Sequence, residues 1–294
     1  MPLPQPRDYV PFSAGPFRMA MGLQPLAPEQ WLELDSSYPQ ELSRKQSLLA
    51  QQHEAVFAAE PGSASGGAEV LELVASHLAQ HHSEFFSRDG SVVRNALTGE
   101  TWELGKLNCH PLEAAARLVQ EDLCLMQERG DAYCLTAACV CFPSRWKLRE
   151  KIGAPMREIH APVPFYEKIG AATDRFMTLL TPDKPVGRIN WSLHDSPELF
   201  QPVKAPPAAP GPITGENAGE RLWLRAERQT LRRLPSSGAI LFTIRTYVRP
   251  LSDFSSPPRA QDLASALRNL PTETAAYKSV LDCREAAIGY LERQ

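Results

Sequence analysis

Apolar residues recur at three- and four-residue intervals in several parts of the chain, a spacing typical of amphipathic helices. In one of these segments Pro111 occupies a favourable first helical position, and the apolar stripe then runs from Leu112 to Met126. The spacing predicts helices over residues 41–58, 68–86, 111–126, 165–180 and the last thirty residues.

Other segments alternate apolar and polar residues or are rich in β-branched and aromatic side chains, which predicts strands. They are residues 91–104, with two short strands around Thr98-Gly99, and 132–142, 186–194, 221–234 and 238–248. The first thirty residues and the loop at 202–217 are proline-rich and predicted to lack regular structure. Helices, strands, helices, strands and helices follow one another, an order that predicts an α+β fold with an antiparallel sheet rather than a doubly wound one.

This order predicts a single domain over residues 1–294, a length compatible with one large domain. Within it, residues 1–90 form an N-terminal wrap with helices, residues 91–250 form the core, and residues 251–294 form C-terminal helices.

Composition excludes several classes of protein. Hydrophobic residues make up 43% and charged residues 22% of the chain, and the formal net charge of −3 argues against a nucleic-acid partner. The longest apolar run, Leu135 to Phe142, is too short to cross a bilayer, and the N-terminus lacks the pattern of a signal peptide. We therefore predict a cytoplasmic protein with no membrane partner.

Six cysteines occur without a CxxC pair, so the sequence predicts buried apolar thiols rather than a zinc or iron–sulfur site. The chain also lacks the dinucleotide-binding, phosphate-binding, GxSxG and HExxH motifs.

A single histidine stands in the segment REIHAPVPFY, residues 157–166. Each proline biases the preceding residue toward extended backbone, so the segment is predicted to hold His160 on a stiff, apolar support. That setting suits a ligand for a metal or cofactor, and it equally suits a histidine that only packs.

Basic and aromatic residues flank this histidine in two blocks, CFPSRWKL (residues 141–148) and RINW (residues 188–191). Strand alternation places Arg188 and Asn190 on one face and Ile189 and Trp191 on the other. These blocks favour an apolar pocket with an anion-binding rim, as a porphyrin with two carboxylates requires. The basic side chains also fit surface or ion-pair roles.

Further blocks occur in order along the chain: Met21 to Leu23, Trp31 to Asp35, Val119 to Leu123, Lys151 to Gly153, and the strand pair at residues 225–235 and 238–247. Together with CFPSRWKL, IHAPVPFY and RINW, they resemble the haem-dependent oxidative N-demethylase alpha subunits. The resemblance implies a PAS-like antiparallel sheet with flanking helices that binds haem b. It also implies O₂-dependent removal of a methyl group from a small amine, with electrons from a separate flavin and iron–sulfur reductase.

Under this resemblance His160 is the expected axial iron ligand, followed by His110 and then His194. The expected haem-binding residues are Arg145, Lys147, Arg188, Asn190 and Trp191. Tyr166 could donate a hydrogen bond near the iron. Glu121, beside Asp122 at the end of the predicted 111–126 helix, could hold a cationic amine, or it could pair with an arginine such as Arg225.

Two other classes of function remain open at this point. A PAS-like pocket could belong to a non-catalytic haem or small-molecule sensor, although the chain has no recognisable output module. It could also belong to a scaffold that has lost its cofactor. An absorption spectrum separates the enzyme and the haem sensor, which both bind haem, from the scaffold that has lost its cofactor.

Overall fold

A seven-stranded sheet forms the centre of the molecule in the computed structural model, which describes residues 2–293. Every neighbouring pair of strands is antiparallel. The order across the sheet is β1 (Gln24–Pro25), β8 (Val186–His194), β9 (Trp223–Arg233), β10 (Ile240–Pro250), β6 (Asp122–Arg129), β7 (Ala132–Cys139) and β2 (Phe57–Ala59). A second sheet contains β3 (Phe86–Asp89), β4 (Val92–Asn95) and β5 (Glu100–Glu103).

Ten helices surround these sheets within the described residues. They are α1 (Tyr38–Gln51), α2 (His53–Val56), α3 (Ala64–His81), α4 (Pro111–Ala116), α5 (Met156–Ile159), α6 (Gly170–Leu179), α7 (Ala218–Arg221), α8 (Pro257–Asn269), α9 (Thr272–Tyr277) and α10 (Arg284–Leu291). The predicted α+β class and the antiparallel sheet are confirmed. None of these helices within residues 2–293 combines the length and apolarity needed to span a membrane.

The two faces of the large sheet are covered differently. On one, here called the helix-covered face, α1, α3 and α4 pack over β6 and β7, and α8 to α10 pack over β8 and β9. On the opposite face, α6 and residues 146–159 cover β6, β7 and the start of β10. The part of that opposite face formed by β8 and β9 carries polar residues, because Arg188 is paired with Gln229 and Asn190 with Glu227 in register. This polar part of the sheet becomes one wall of the candidate site.

The predicted helix over residues 111–126 is wrong beyond its first turns. Helix α4 ends at Ala116, and β6 begins at Asp122. Leu123, Cys124 and Leu125 are all buried, so β6 is covered on both faces and shows no apolar–polar alternation. A doubly buried strand and a helical stripe cannot be distinguished by periodicity alone, which explains the error.

The predicted extended support for His160 is also wrong. Helix α5 runs to Ile159, and residues 160–165 form successive turns. The Ala161 N–H donates to the Glu158 carbonyl and the Val163 N–H to the His160 carbonyl. The two prolines therefore lie in a hydrogen-bonded run of turns rather than in a regular extended segment.

Candidate functional site

His160 lies at the C-terminal end of α5, on the side of the sheet covered by α6. Its Nδ1 is 2.9 Å from the Met156 carbonyl oxygen, and the Tyr166 ring stacks on it at 5.0 Å between centroids and 13° between planes. Burial lowers the pKa of His160, with a further lowering from nearby Arg188, so the imidazole is neutral at pH 7. When Nδ1–H donates to the Met156 carbonyl, the lone pair of Nε2 is free to bind a metal.

The second-choice ligand, His110, has both ring nitrogens engaged. Its Nδ1 accepts from the Leu112 N–H at 3.1 Å, which makes it the N-cap of α4, and its Nε2 is 3.2 Å from Ser63 Oγ. The imidazole also packs against Gly67, where an added Cβ would lie 2.7 Å from His110 Cε1. His110 is therefore a capping residue in a tightly packed position.

The third-choice ligand, His194, is equally occupied. Its Nδ1 is 3.0 Å from Gln201 Oε1 and its Nε2 is 3.0 Å from Ser192 Oγ. Burial lowers the pKa of His194 to about 3, so this side chain is neutral and structural. Of these three histidines, only His160 has a ring nitrogen without a partner among the described residues.

Arg188 extends from β8 on the same side of the sheet as His160. Its Nε donates to Gln229 Oε1 at 2.7 Å and its Nη1 to the Met21 carbonyl at 3.1 Å, which are both neutral acceptors. Burial lowers the pKa of Arg188, and Glu227 is the acid that counteracts this most. Within residues 2–293 no carboxylate lies within 4.0 Å of this half-buried guanidinium.

Two lysines share this lack of a carboxylate partner. Lys151 Nζ donates to the Ile159 carbonyl at 2.7 Å, beside His160. Lys278 Nζ donates to Asn190 Oδ1 at 3.0 Å and to the Trp191 carbonyl, and it lies 5.0 Å from the Trp191 ring centroid. Burial lowers the pKa of both lysines, that of Lys278 to about 8. We call the region formed by His160, Lys151, Tyr166, Arg188, Asn190, Glu227 and Lys278 the cationic cleft.

Glu227, on β9, supplies the carboxylate on the sheet wall of the cleft. Its Oε2 accepts from Gln229 Nε2 at 3.0 Å and from Asn190 Nδ2 at 3.5 Å. Its Oε1 is 3.8 Å from Arg225 Nε. Asn190, predicted to share a face with Arg188, therefore lies between Glu227 and Lys278.

Tyr166 belongs to the cleft as the residue stacked on His160. Its hydroxyl is buried, and the side chain of Thr173 lies within reach of it. Burial raises the pKa of Tyr166, so the phenol remains protonated and can donate a hydrogen bond.

Three predicted haem-binding residues lie outside the cleft. Arg145 pairs with Asp195 at 2.8 Å beyond the far end of β8, seven residues or roughly 23 Å of strand from Arg188. Lys147 is exposed, with its Nζ 3.8 Å from Glu150. Trp191 lies on the helix-covered face, where it packs edge-on against Phe12 at 6.0 Å.

Glu121 does not end a helix, and it lies on the other side of the sheet. Its Oε1 accepts from the Glu33 N–H at 3.0 Å, within a buried cluster that includes Arg245 and Arg228. Asp122 accepts from the backbone N–H groups of Cys141 and Phe142, both at 2.8 Å. Both carboxylates are buried, which raises their pKa, and both organise backbone rather than the cleft.

Sequence reasoning missed Lys151, Glu227 and Lys278. Alternation in the β9 segment, in which Arg225, Glu227 and Gln229 share a face, could have indicated Glu227. Lys278 offered no local signal, because it follows the short helix α9 and reaches β8 only through the tertiary fold.

Within residues 2–293, no three His, Cys, Asp or Glu side chains lie together in a way that could hold a metal ion. A metal at His160 would therefore need other donor atoms, such as those a porphyrin supplies.

Comparison with known families gives a match over most of the chain. Residues 22–288 match the family model described as haem-dependent oxidative N-demethylase, alpha subunit-like. The match covers nearly the whole sequence of 294 residues and includes every residue of the cationic cleft. The chain therefore belongs to the haem-dependent oxidative N-demethylase alpha-subunit-like family.

Proposed function

We propose that the cationic cleft binds haem b, with His160 as the axial ligand. The observation that carries this proposal is a neutral imidazole with a free Nε2 beside cations that have no carboxylate partner. Arg188 and Lys151 are only partly buried, and the two propionates of haem would supply the carboxylate partners that both side chains lack. The residues present thus fit the cofactor that the family name implies.

The sheet supports the finer assignment of a PAS-like fold. Its five longest strands stand across the sheet as β8, β9, β10, β6 and β7. Of these five, the first in the chain, β6, pairs with the last, β10, at the centre of the sheet, as in PAS-type sheets. The cleft lies on one face of these strands.

The proposed activity is O₂-dependent oxidative N-demethylation of a small amine, with electrons from a separate reductase subunit. Haem, when bound, supplies the redox-active iron for the oxygen chemistry. The protein's own contributions are the His160 imidazole as ligand, the Tyr166 hydroxyl as a hydrogen-bond donor, and Glu227 as the carboxylate that receives the amine N–H groups. The six free cysteines support a reducing, cytoplasmic location.

An absorption spectrum of the full chain, expressed with a haem precursor, tests this proposal. We expect a Soret band in the wild-type protein and its loss or marked shift in His160→Ala. His110→Ala and His194→Ala are the matched controls, and both should retain the wild-type band position because their ring nitrogens are already bonded. A wild-type spectrum in His160→Ala, with the band lost in either control, would overturn the ligand assignment.

A further inference from the structure

The charged residues of the cationic cleft also indicate which chemical class of amine it would bind. Glu227 is the carboxylate that acts most strongly on Arg188 and on Lys278, whereas Glu150 acts on Lys151. Glu227 also faces the neighbouring Arg225, whose Nε is 3.8 Å from Glu227 Oε1, and the fully buried Asp122 acts on Arg225 less strongly. If the proposed haem binds here, Arg188 and Lys151, which lie beside the His160 ligand, are the cations placed to pair with its two propionates.

Lys278 is then the cation that still lacks a carboxylate. Its ammonium group has three N–H donors, of which two bond to Asn190 Oδ1 and to the Trp191 carbonyl oxygen. Burial lowers its pKa, and Glu227 counteracts that shift without coming within ion-pair distance. One donor and an unpaired charge therefore remain available to a ligand.

Glu227 and Lys278 are held at opposite ends of a single carboxamide. Asn190 Oδ1 accepts from Lys278, and Asn190 Nδ2 faces Glu227 Oε2 at 3.5 Å. A carboxylate acceptor and an ammonium donor separated in this way match the two charged ends of an amino acid.

We propose that the substrate is a zwitterionic N-methylated amino acid, whose carboxylate binds Lys278 and whose ammonium group binds Glu227. This inference rests on the proposed function of the same cleft. A zwitterion would give Lys278 the carboxylate partner that it lacks, whereas dimethylammonium would leave Lys278 unpaired and bring a second cation beside it. Like charges at such short range repel each other, so the cleft should discriminate against simple amines.

Isothermal titration calorimetry of the haem-loaded full chain with sarcosine and with dimethylamine tests the inference. We expect sarcosine to bind at least about tenfold more tightly, the difference expected for one buried charge-assisted contact. Lys278→Met should weaken sarcosine binding about tenfold and leave dimethylamine within about twofold, and Lys278→Arg should recover part of the sarcosine affinity. Lys204→Met is the control, because Lys204 pairs with Asp195 and Asp282 outside the cleft.

Dimethylamine binding as tightly as sarcosine to the wild-type chain would overturn the inference, as would unchanged sarcosine affinity in a folded Lys278→Met variant. If Lys278→Met does not fold, the comparison of the two ligands on the wild-type chain decides. Absence of a Soret band would overturn the proposed function alone. The titration is then made on the haem-free chain, where the excess positive charge still favours the ligand that carries a carboxylate.

Discussion

At the scale of single residues, three histidines show how context decides chemistry. His110 caps a helix and His194 joins a buried network, whereas His160 has a free Nε2 on the imidazole. Their local sequences do not distinguish these roles. The roles are distinguished by the hydrogen-bond partners of the ring nitrogens. For His110 and His194, some of these partners come from distant parts of the chain or from another element.

His194 should make folding stability depend on pH in a defined direction. Its pKa is about 3 in the folded protein, against roughly 6.5 in the unfolded chain, so the unfolded state binds more protons between these values. Stability from the neutral imidazole is therefore present above about pH 6.5 and declines as the pH falls. At pH 5 the loss amounts to about 2 kcal/mol.

Urea unfolding of the wild type and of His194→Asn at pH 7 and pH 5 measures this effect. The stability advantage of the wild type should shrink by about 2 kcal/mol between the two pH values. Other titrating groups, including His77, are common to both proteins and cancel in the difference. An advantage that does not change with pH would contradict the prediction.

At the scale of elements, β10 is joined to the N-terminal part of the chain by a buried arginine. Arg245 Nη2 lies 2.7 Å from Asp35 Oδ2, and Nη1 lies 2.7 Å from Glu41 Oε2 on α1. The guanidinium also stacks over the Tyr247 ring at 4.5 Å. These contacts attach α1 and the segment before it to the helix-covered face of the sheet.

Replacing Arg245 by Met should destabilise the protein by about 3–5 kcal/mol, because it leaves two buried carboxylates without their cation. Chemical denaturation measures the change. Arg249→Met is the matched control on the same strand. Arg249 is more exposed and pairs with Asp8 and Asp253, so its loss should cost less than about 1 kcal/mol.

Adding Asp35→Asn and Glu41→Gln to Arg245→Met should recover part of the lost stability, since both substitutions remove a stranded charge. Equal losses for Arg245→Met and Arg249→Met would show that the buried pairs do not hold β10 and α1 together.

At the scale of the whole molecule, the chain offers a cleft for a cofactor and no motif for a reductase. It lacks a dinucleotide-binding fingerprint, a CxxC pair and a phosphate-binding loop. The alpha-subunit-like family to which it belongs agrees with a division of labour among subunits. If the cleft binds haem as proposed, its electrons come from another protein.

The purified chain alone should therefore not couple NADPH oxidation to formaldehyde release in air. Turnover should appear when a flavin and iron–sulfur reductase or a chemical reductant is added. NADPH consumption and formaldehyde, measured in parallel with and without the reductase, check this expectation. Sustained formaldehyde release by the chain with NADPH alone would contradict it.

Several features of this protein follow from the sequence by itself. Strand β8 was predicted with the bounds that the structure shows, and β9 and β10 to within two residues at each end, because alternation along a strand is a local property. The antiparallel α+β class and the family are also readable from element order and from blocks such as RINW and IHAPVPFY.

Tertiary structure alone decided what these elements bring together. Because β6 is buried on both faces, its residues form a strand where the apolar spacing predicted a helix. Glu121 therefore lies on the opposite side of the sheet from His160. Register between β8 and β9 placed Glu227 beside Asn190, and the turn after α9 delivered Lys278 to the same point. A charged residue's partners depend on contacts between segments distant in the chain, and no local periodicity encodes those contacts.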